Sequence, residues 1–449
     1  MPIRRQLNER EALETNITFY LEFEGDRISK EHVCRAFQLV RKQHPYFRLR
    51  IDERAYVEDD NELQIIHFGE LFLDWQQELV EWANSSRDHS KSLMFLKHCF
   101  EDSKHQLFGV VNHVGIDGLG YFLLVDTFLD YLARLIESID VRVTEERPFV
   151  DMLSQYPLKE TPEVCFNRDY LERQAKDPDP NQARPLAGKG EIIGNFEKFD
   201  KNITNNVLIN SLRNKTPMQG MLSTAGMLIS IWIRKPRPML PQWIMNWCST
   251  NLRQQAEPPV DTNDILLGSC PLAWEQEVNQ ISTLWQLART ATQQIHENNL
   301  KRYGFIIWNN QKSGFRIRQP TLMTVSNGYV PIKTQYGSVK VIDIRAMTGH
   351  YDSVTSNMSS HMTYSATFDG QLQLINTFTY PGLGKQWGER FHSGMIYILE
   401  RFANNRDDTV AALFRSLDEQ FPLGSDIERA RLSGIPASAQ TAPILSPSD

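Results

Sequence analysis

The chain has 449 residues, with 48 basic against 55 acidic side chains and a formal net charge of -7. A composition that is 41% hydrophobic and 23% charged belongs to a globular protein with a sizeable core, and the length suggests roughly two or three units. The acidic balance excludes a broad nucleic-acid footprint, which needs clustered Lys and Arg, and offers no polybasic membrane anchor. Cys34, Cys99, Cys165, Cys248 and Cys270 are odd in number and form no CxxC, which argues against a disulfide framework or a cysteine zinc site and for reduced thiols in a cytoplasmic protein. The N-terminal MPIRRQLNEREALE has basic residues but no apolar run behind them, so a signal peptide is not expected, nor is a transmembrane helix, for want of an apolar run of about 18 residues.

Residues Ile17 to Phe23 (ITFYLEF) are β-branched and aromatic and predict a strand. Ser29 is placed to cap a helix over Lys30 to Lys42, which must end at His44-Pro45. A strand is expected from Phe47 to Ile51. SLMFLKHCF and QLFGVVNH, separated by the polar turn EDSKH, predict a hairpin. A loop, VGIDG, leads into an amphipathic helix from about Leu119 to Ile136. Its apolar face is Phe122, Val125, Leu129, Leu132 and Ile136, with Asp126, Asp130 and Arg134 opposite. The proline- and charge-rich segment 174–190 reads as a linker between an N-terminal lobe, 1–173, and a C-terminal lobe, 191–432. In the second half, helices are expected over Thr216 to Ile233, Ile281 to Asn298 and Lys385 to Phe402. Strands are expected at Trp243 to Cys248, TLMTVSN, SVKVIDI, HMTYSATF and LQLINTF, the last two joined by an Asp369-Gly370 turn. The tail 433–449 is small, polar and expected to be disordered.

The sharpest feature is Asn112-His113-Val114-Gly115-Ile116-Asp117-Gly118, where a strand gives way to a helix. An imidazole at a strand end can face a channel while its strand stays fixed, and an unperturbed histidine suits a general base. Asp117, just before a glycine, is better placed to hold the loop than to polarise the ring, and Gly118 permits a turn and close approach of a ligand. The bland alternative, a core histidine beside an Asp-Gly turn, fits the motif alone equally well. His98 and Asp102 form a second HxxxD, but Ser103 follows and the pair straddles the hairpin turn, so it is treated as a decoy. Trp243, Met245 and Trp247 suit a core or a channel wall, and His361 and Tyr364, on a strand, suit core or edge positions better than catalysis. No GxGxxG, Walker-type loop, HExxH or metal-ligand spacing occurs, so the sequence demands no permanently bound cofactor.

His-x-x-x-Asp-Gly at this junction resembles the signature of the condensation-domain and chloramphenicol-acetyltransferase-like acyltransferase superfamily. Arg41-Lys42-Gln43-His44-Pro45-Tyr46-Phe47-Arg48 is similar to its early RHPxLR segment. Trp247 to Arg253 resembles its mid-chain strand ending in arginine, and Ser326-Asn327-Gly328 its later SNxG segment. The chain departs from the condensation domains in carrying Asn112 where they usually have a first histidine, and it has no DFGWG. The resemblance implies an α+β (mixed α/β) fold of two lobes, each a mixed sheet with flanking helices, and an active site in a tunnel between them. It implies His113 as general base, supported by Asp117, Gly118 and Arg253, with Asp117 paired to Arg253. Ser326 and Asn327 would contact the oxyanion or substrate. The donor would be an acyl thioester of coenzyme A or a phosphopantetheinyl carrier protein. The acceptor would be a small alcohol or amine, a hydroxyl being preferred, in lipid, polyketide or peptide natural-product biosynthesis. The expected enzyme is a monomeric acyltransferase. Its rivals are a free-standing amide-forming condensation enzyme and a non-catalytic carrier-protein docking module.

Overall fold

The computed structural model describes residues 4–7, 16–58, 66–113, 115–139, 141–143, 145–150, 191–233, 239–256, 258–304, 322–348, 361–380 and 385–422. The expected linker at 174–190 and tail at 433–449 lie outside the described residues. Among the described residues there are eight α-helices and two mixed six-stranded sheets, as an α+β fold of two lobes requires.

The first half opens with β1 (Arg4–Gln6) and β2 (Asn16–Glu24), followed by α1 (Lys30–Gln43). Ser29 caps α1: its hydroxyl accepts from the His32 amide at 3.2 Å, and the His32 ring accepts from the Ser29 amide in return. The strand expected from Phe47 begins later. Pro45–Arg48 is a 3-10 turn, and β3 (Leu49–Asp52) follows it. Proline lacks the donor that a first helical turn leaves unused, so it favours the turn there. β4 (Ala55–Glu58) joins β1 and β3 in a small separate sheet. Then come β5 (Ile66–Gly69), α2 (Trp75–Asn84), the hairpin β6 (Met94–Glu101) and β7 (Lys104–Asn112), and α3 (Gly118–Ile136).

The second half contains β8 (Glu191–Lys198), α4 (Lys201–Asn214), α5 (Met218–Trp232), β9 (Gln242–Asn251), β10 (Ser269–Val278) and α6 (Leu284–Leu300). After these come β11 (Leu322–Tyr329), β12 (Gln335–Tyr336), β13 (Val339–Thr348), β14 (His361–Phe368), β15 (Gln371–Tyr380), α7 (Lys385–Ala403) and α8 (Val410–Gln420). Its sheet runs β10-β9-β11-β14-β15-β8, while the first sheet runs β12-β13-β2-β7-β6-β5. Residues 335–348, assigned to the C-terminal lobe by the sequence reading, are therefore strands of the N-terminal sheet. β13 lies antiparallel to β2, with Ile344 opposite Leu21 and Thr348 opposite Ile17.

This crossover makes β2 a central strand, buried on both faces. Phe19, Leu21 and Phe23 join the core under α1 and α3, while Tyr20 faces the other way. It meets Phe108 of β7, Trp247 of β9, Met323 of β11 and Met362 and Tyr364 of β14 in an apolar layer between the two sheets. Period-two alternation along each strand supplies both layers from one sequence. The lobes are also tied at their edges. The Asn84 amide group, at the end of α2, donates to Ile192 O and accepts from Ile192 N, both at 2.7 Å, so a side chain stands in for a neighbouring strand at β8. Asp343 and Arg345 of β13 form a buried forked pair at 3.1–3.2 Å; Arg345 reaches Glu197 O at 3.1 Å, and Gln373 of β15 donates to Asp343 at 2.8 Å.

Two features of this fold can be measured. Gly109 of β7 lies under the Phe19 ring, and a Cβ there would come within 2.1 Å of Phe19 Cζ. Gly109→Ala is expected to destabilise the protein by about 1–3 kcal/mol, through overpacking, in urea denaturation. Acid stability is set in part by buried neutral histidines. Burial pushes His98 down to about 3, helped by His105 and Lys30, and pushes His44 and His392 down to about 4. The unfolded chain binds protons at these rings below the ordinary value of 6.5 and the folded chain does not, so stability is whole above pH 6.5 and falls as pH drops towards 4. His98→Phe should flatten part of that decline in unfolding midpoints measured from pH 7 to pH 4.

Candidate functional site

His113 directly follows the last residue of β7 and is half-buried. Its Nδ1 lies 2.6 Å from Ile116 O. A carbonyl can only accept, so Nδ1 carries the proton, and in the neutral ring Nε2 is the acceptor nitrogen. The loop bearing this ring is gripped on one flank by Tyr46. Its hydroxyl donates to Asn112 O at 2.5 Å, and its ring packs so closely on Gly115 that a Cβ there would lie 2.0 Å from Tyr46 Cε2. Ile116, fully buried, anchors the loop beneath.

The other flank is held by Asp117, the N-cap of α3. Oδ1 accepts from Gly120 N at 3.0 Å and from Arg253 Nη2 at 3.0 Å. Oδ2 accepts from Arg253 Nη1 at 2.6 Å and from Gly268 N at 3.0 Å. These four bonds occupy the lone-pair sites of the carboxylate. Asp117 is 2% exposed and Arg253, in the 3-10 turn after β9, is 0% exposed. The guanidinium also donates to Leu266 O at 3.1 Å, and the Asp117 amide to the same carbonyl at 3.3 Å. Gly268 must be glycine for the fork to fit, since a Cβ would meet Arg253 Nη1 at 2.5 Å. Asp117 thus joins three elements: the loop bearing His113, the start of α3, and the segment around Arg253 and Gly268 in the other half of the chain.

Ser326 and Asn327 lie near the end of β11 and are half-buried. The Ser326 amide is engaged by Gln219 Oε1 at 2.8 Å, so its donor is already used. Asn327 faces Gly118: its Oδ1 lies 3.3 Å from where a Cβ on that residue would sit. Asn327 also lines a cleft between the lobes together with Phe122, Ile344, Arg345, Tyr364 and Gln373. The unfilled space along this cleft, its open mouth and the solvent there included, is about 320 Å³. His113 is not among its lining residues.

The remaining candidates separate by burial. His98 is 1% exposed, bonded to His105 at 3.1 Å and stacked on Phe100, whereas Asp102 is exposed in the hairpin turn, so the second HxxxD does not come together as a site. His361 packs on Phe391. Met245 and Trp247 belong to the layer between the sheets, whereas Trp243 is exposed. Among the described residues, no three His, Cys, Asp or Glu are grouped to hold a metal ion, and no helix is long and apolar enough to cross a membrane. Sequence reasoning gave no role to Tyr46, Gly268 or Gln219. Tyr46 sits in the quoted RKQHPYFR run; the other two carry no local signal.

No protein-family model matches the chain, and no curated protein matches its sequence. Solved structures do match. A polyketide synthase associated protein from Mycobacterium tuberculosis superposes with a TM-score of 0.69 at 15% identity, covering 89% of this chain and 98% of that one. The first condensation domain of the calcium-dependent antibiotic synthetase gives 0.70 at 12% identity, over 91% and 98%. The chain has the condensation-domain fold. A trichothecene 15-O-acetyltransferase from Fusarium sporotrichioides shares it, with a TM-score of 0.66 at 11% identity over 89% and 95% of the two chains. Within the condensation-domain fold of this chain, His113 opens the crossing from the first sheet into α3, and Arg253 answers Asp117 from the second half.

The buried pair sets a clear expectation. Asp117→Ala leaves a guanidinium in the interior without its carboxylate and should cost about 3–5 kcal/mol in urea denaturation. Asp117→Ala with Arg253→Met should be less damaging than the two single losses added together. Strict additivity would mean that the pair carries no coupling.

Proposed function

We infer that the protein is an acyltransferase that moves an acyl group from a thioester, on coenzyme A or a carrier protein, to the hydroxyl of a small acceptor in natural-product biosynthesis. The observation that carries this reading is the His113 ring. It is held in one tautomer by Ile116 O, on a loop clamped by Tyr46 and by the Asp117–Arg253 pair.

In this reading, Nε2 removes the proton of the acceptor hydroxyl as its oxygen attacks the thioester carbonyl. The tetrahedral oxyanion then collapses, the carbon–sulfur bond breaks, and the thiolate takes the proton back from the imidazolium. Acid and base are one residue, and no acyl-enzyme is needed. The oxyanion role falls to Asn327, the Ser326 hydroxyl and the amino end of α3, the Ser326 backbone amide being committed to Gln219. Asp117 orders the loop and is not in the proton path, since all of its acceptor sites are occupied. The acyl thioester and acceptor would meet at His113 Nε2, where confinement replaces a bimolecular encounter.

The test is product analysis by intact mass spectrometry, with acetyl- to dodecanoyl-CoA as donors against primary alcohols and primary amines. His113→Ala should lower turnover by about 10²–10⁴-fold while leaving the unfolding midpoint near that of the parent. Turnover unchanged by the substitution would remove His113 as the base. Transfer to amines alone would turn the reading to amide formation.

A further inference from the structure

β11 runs parallel to β14 in register from Leu322 to Ser326, and then slips, with Tyr329 opposite Thr367. One extra residue is therefore taken up on β11, as in a bulge. Asn327 and Gly328 occupy it. Gly328 has φ +65°, and a Cβ there would meet nothing within 4 Å, so conformation and not crowding calls for glycine. The pairing of β11 with β9 has already stopped at Thr324. Where the ladder gives out, a helix side chain takes over.

That side chain is Gln219, the second residue of α5. Its Oε1 accepts from Ser326 N at 2.8 Å. Its Nε2 donates to Ser223 Oγ and to Thr324 Oγ1, both at 2.9 Å. Ser223 and Thr324 are fully buried, with their hydroxyl oxygens 2.8 Å apart. One primary amide thus bonds the strand on both sides of Val325, at the last registered residues before the slip. The residue that follows is Asn327, which lines the interlobe cleft and faces the first residue of α3.

We propose that Gln219 is a positioning residue: by holding Ser326 it fixes where the Asn327–Gly328 bulge begins and so aims Asn327 at the amino end of α3. For its effect on turnover this rests on the acyl-transfer reading above. The placement of the bulge does not.

The experiment uses the full chain with four variants: Gln219→Leu, Gln219→Glu, Asn327→Ala and the double variant Gln219→Leu/Asn327→Ala. Leucine keeps the bulk and removes both polar ends, whereas glutamate keeps an acceptor for Ser326. Gln219→Leu should lower kcat by roughly 10- to 100-fold with KM within about twofold, and should speed hydrogen exchange at the Ser326 amide at least about tenfold. Gln219→Glu should recover most of both. The double variant should be no slower than Asn327→Ala. Gln219→Ala, which crowds nothing, carries the same expectations if the leucine variant does not fold. Losses that multiply in the double variant, or Ser326 protection unchanged by leucine or alanine, overturn the proposal. A parent protein that transfers no acyl group to any acceptor would sink the acyl-transfer reading alone, and the exchange measurement would still decide whether Gln219 holds the bulge.

Discussion

A buried carboxylate–guanidinium fork between Asp117 and Arg253 organises this molecule. Taking two charges out of water is expensive, and attraction alone seldom compensates, so such a pair survives where further hydrogen bonds complete it. Here they do. The carboxylate also caps α3 and accepts from Gly268, and the guanidinium also donates to the Leu266 carbonyl. Each bond fixes the position of something else. The loop that presents His113 ends at this aspartate, the helix that follows begins at it, and the segment that supplies the arginine is held beside both. Replacing the pair with apolar side chains could preserve stability, yet it would lose the directionality that sets where the histidine stands.

The second organising feature is the exchange of strands between halves. β12 and β13 belong to the first sheet, β13 beside β2, although β11 and β14, which flank them in sequence, belong to the second. After β11 the chain therefore passes to the first sheet and returns to the second for β14, and the apolar layer between the sheets is lined from both halves. The cleft lies along this crossing, with β13 on one wall and β14 and β15 on the other. Arg345 and Asp343 place a second forked pair there, so the lobes are joined by directional polar contacts as well as by the apolar layer.

Much of this was legible in the sequence, for reasons that differ from element to element. β2, the β6–β7 hairpin and α3 carry strong periodicity, a polar turn and a capping residue, and their bounds emerge within a residue or two. The junction at His113 was legible because strand, loop and helix signals meet there. α4 was not: its five asparagines are poor helix formers, and only its packing on α7, through bonds such as that from Asn210 to Ala403 O at 2.9 Å, makes it one. The destination of β13 was not legible either. An alternating strand states which residues face inward, not which sheet receives them. Gln219 and Gly268 were invisible for the same reason, since each acts on a segment more than a hundred residues away in the chain.

The strand exchange has a consequence for how the protein is made. During synthesis, residues up to the end of α3 emerge long before β13 does, and until then β2 displays a bare flank of amides and carbonyls to its surroundings. An isolated N-terminal half would keep that flank permanently. It would be an adhesive fragment, open to pairing with foreign chains, and splitting the gene between the lobes would not yield two self-sufficient pieces.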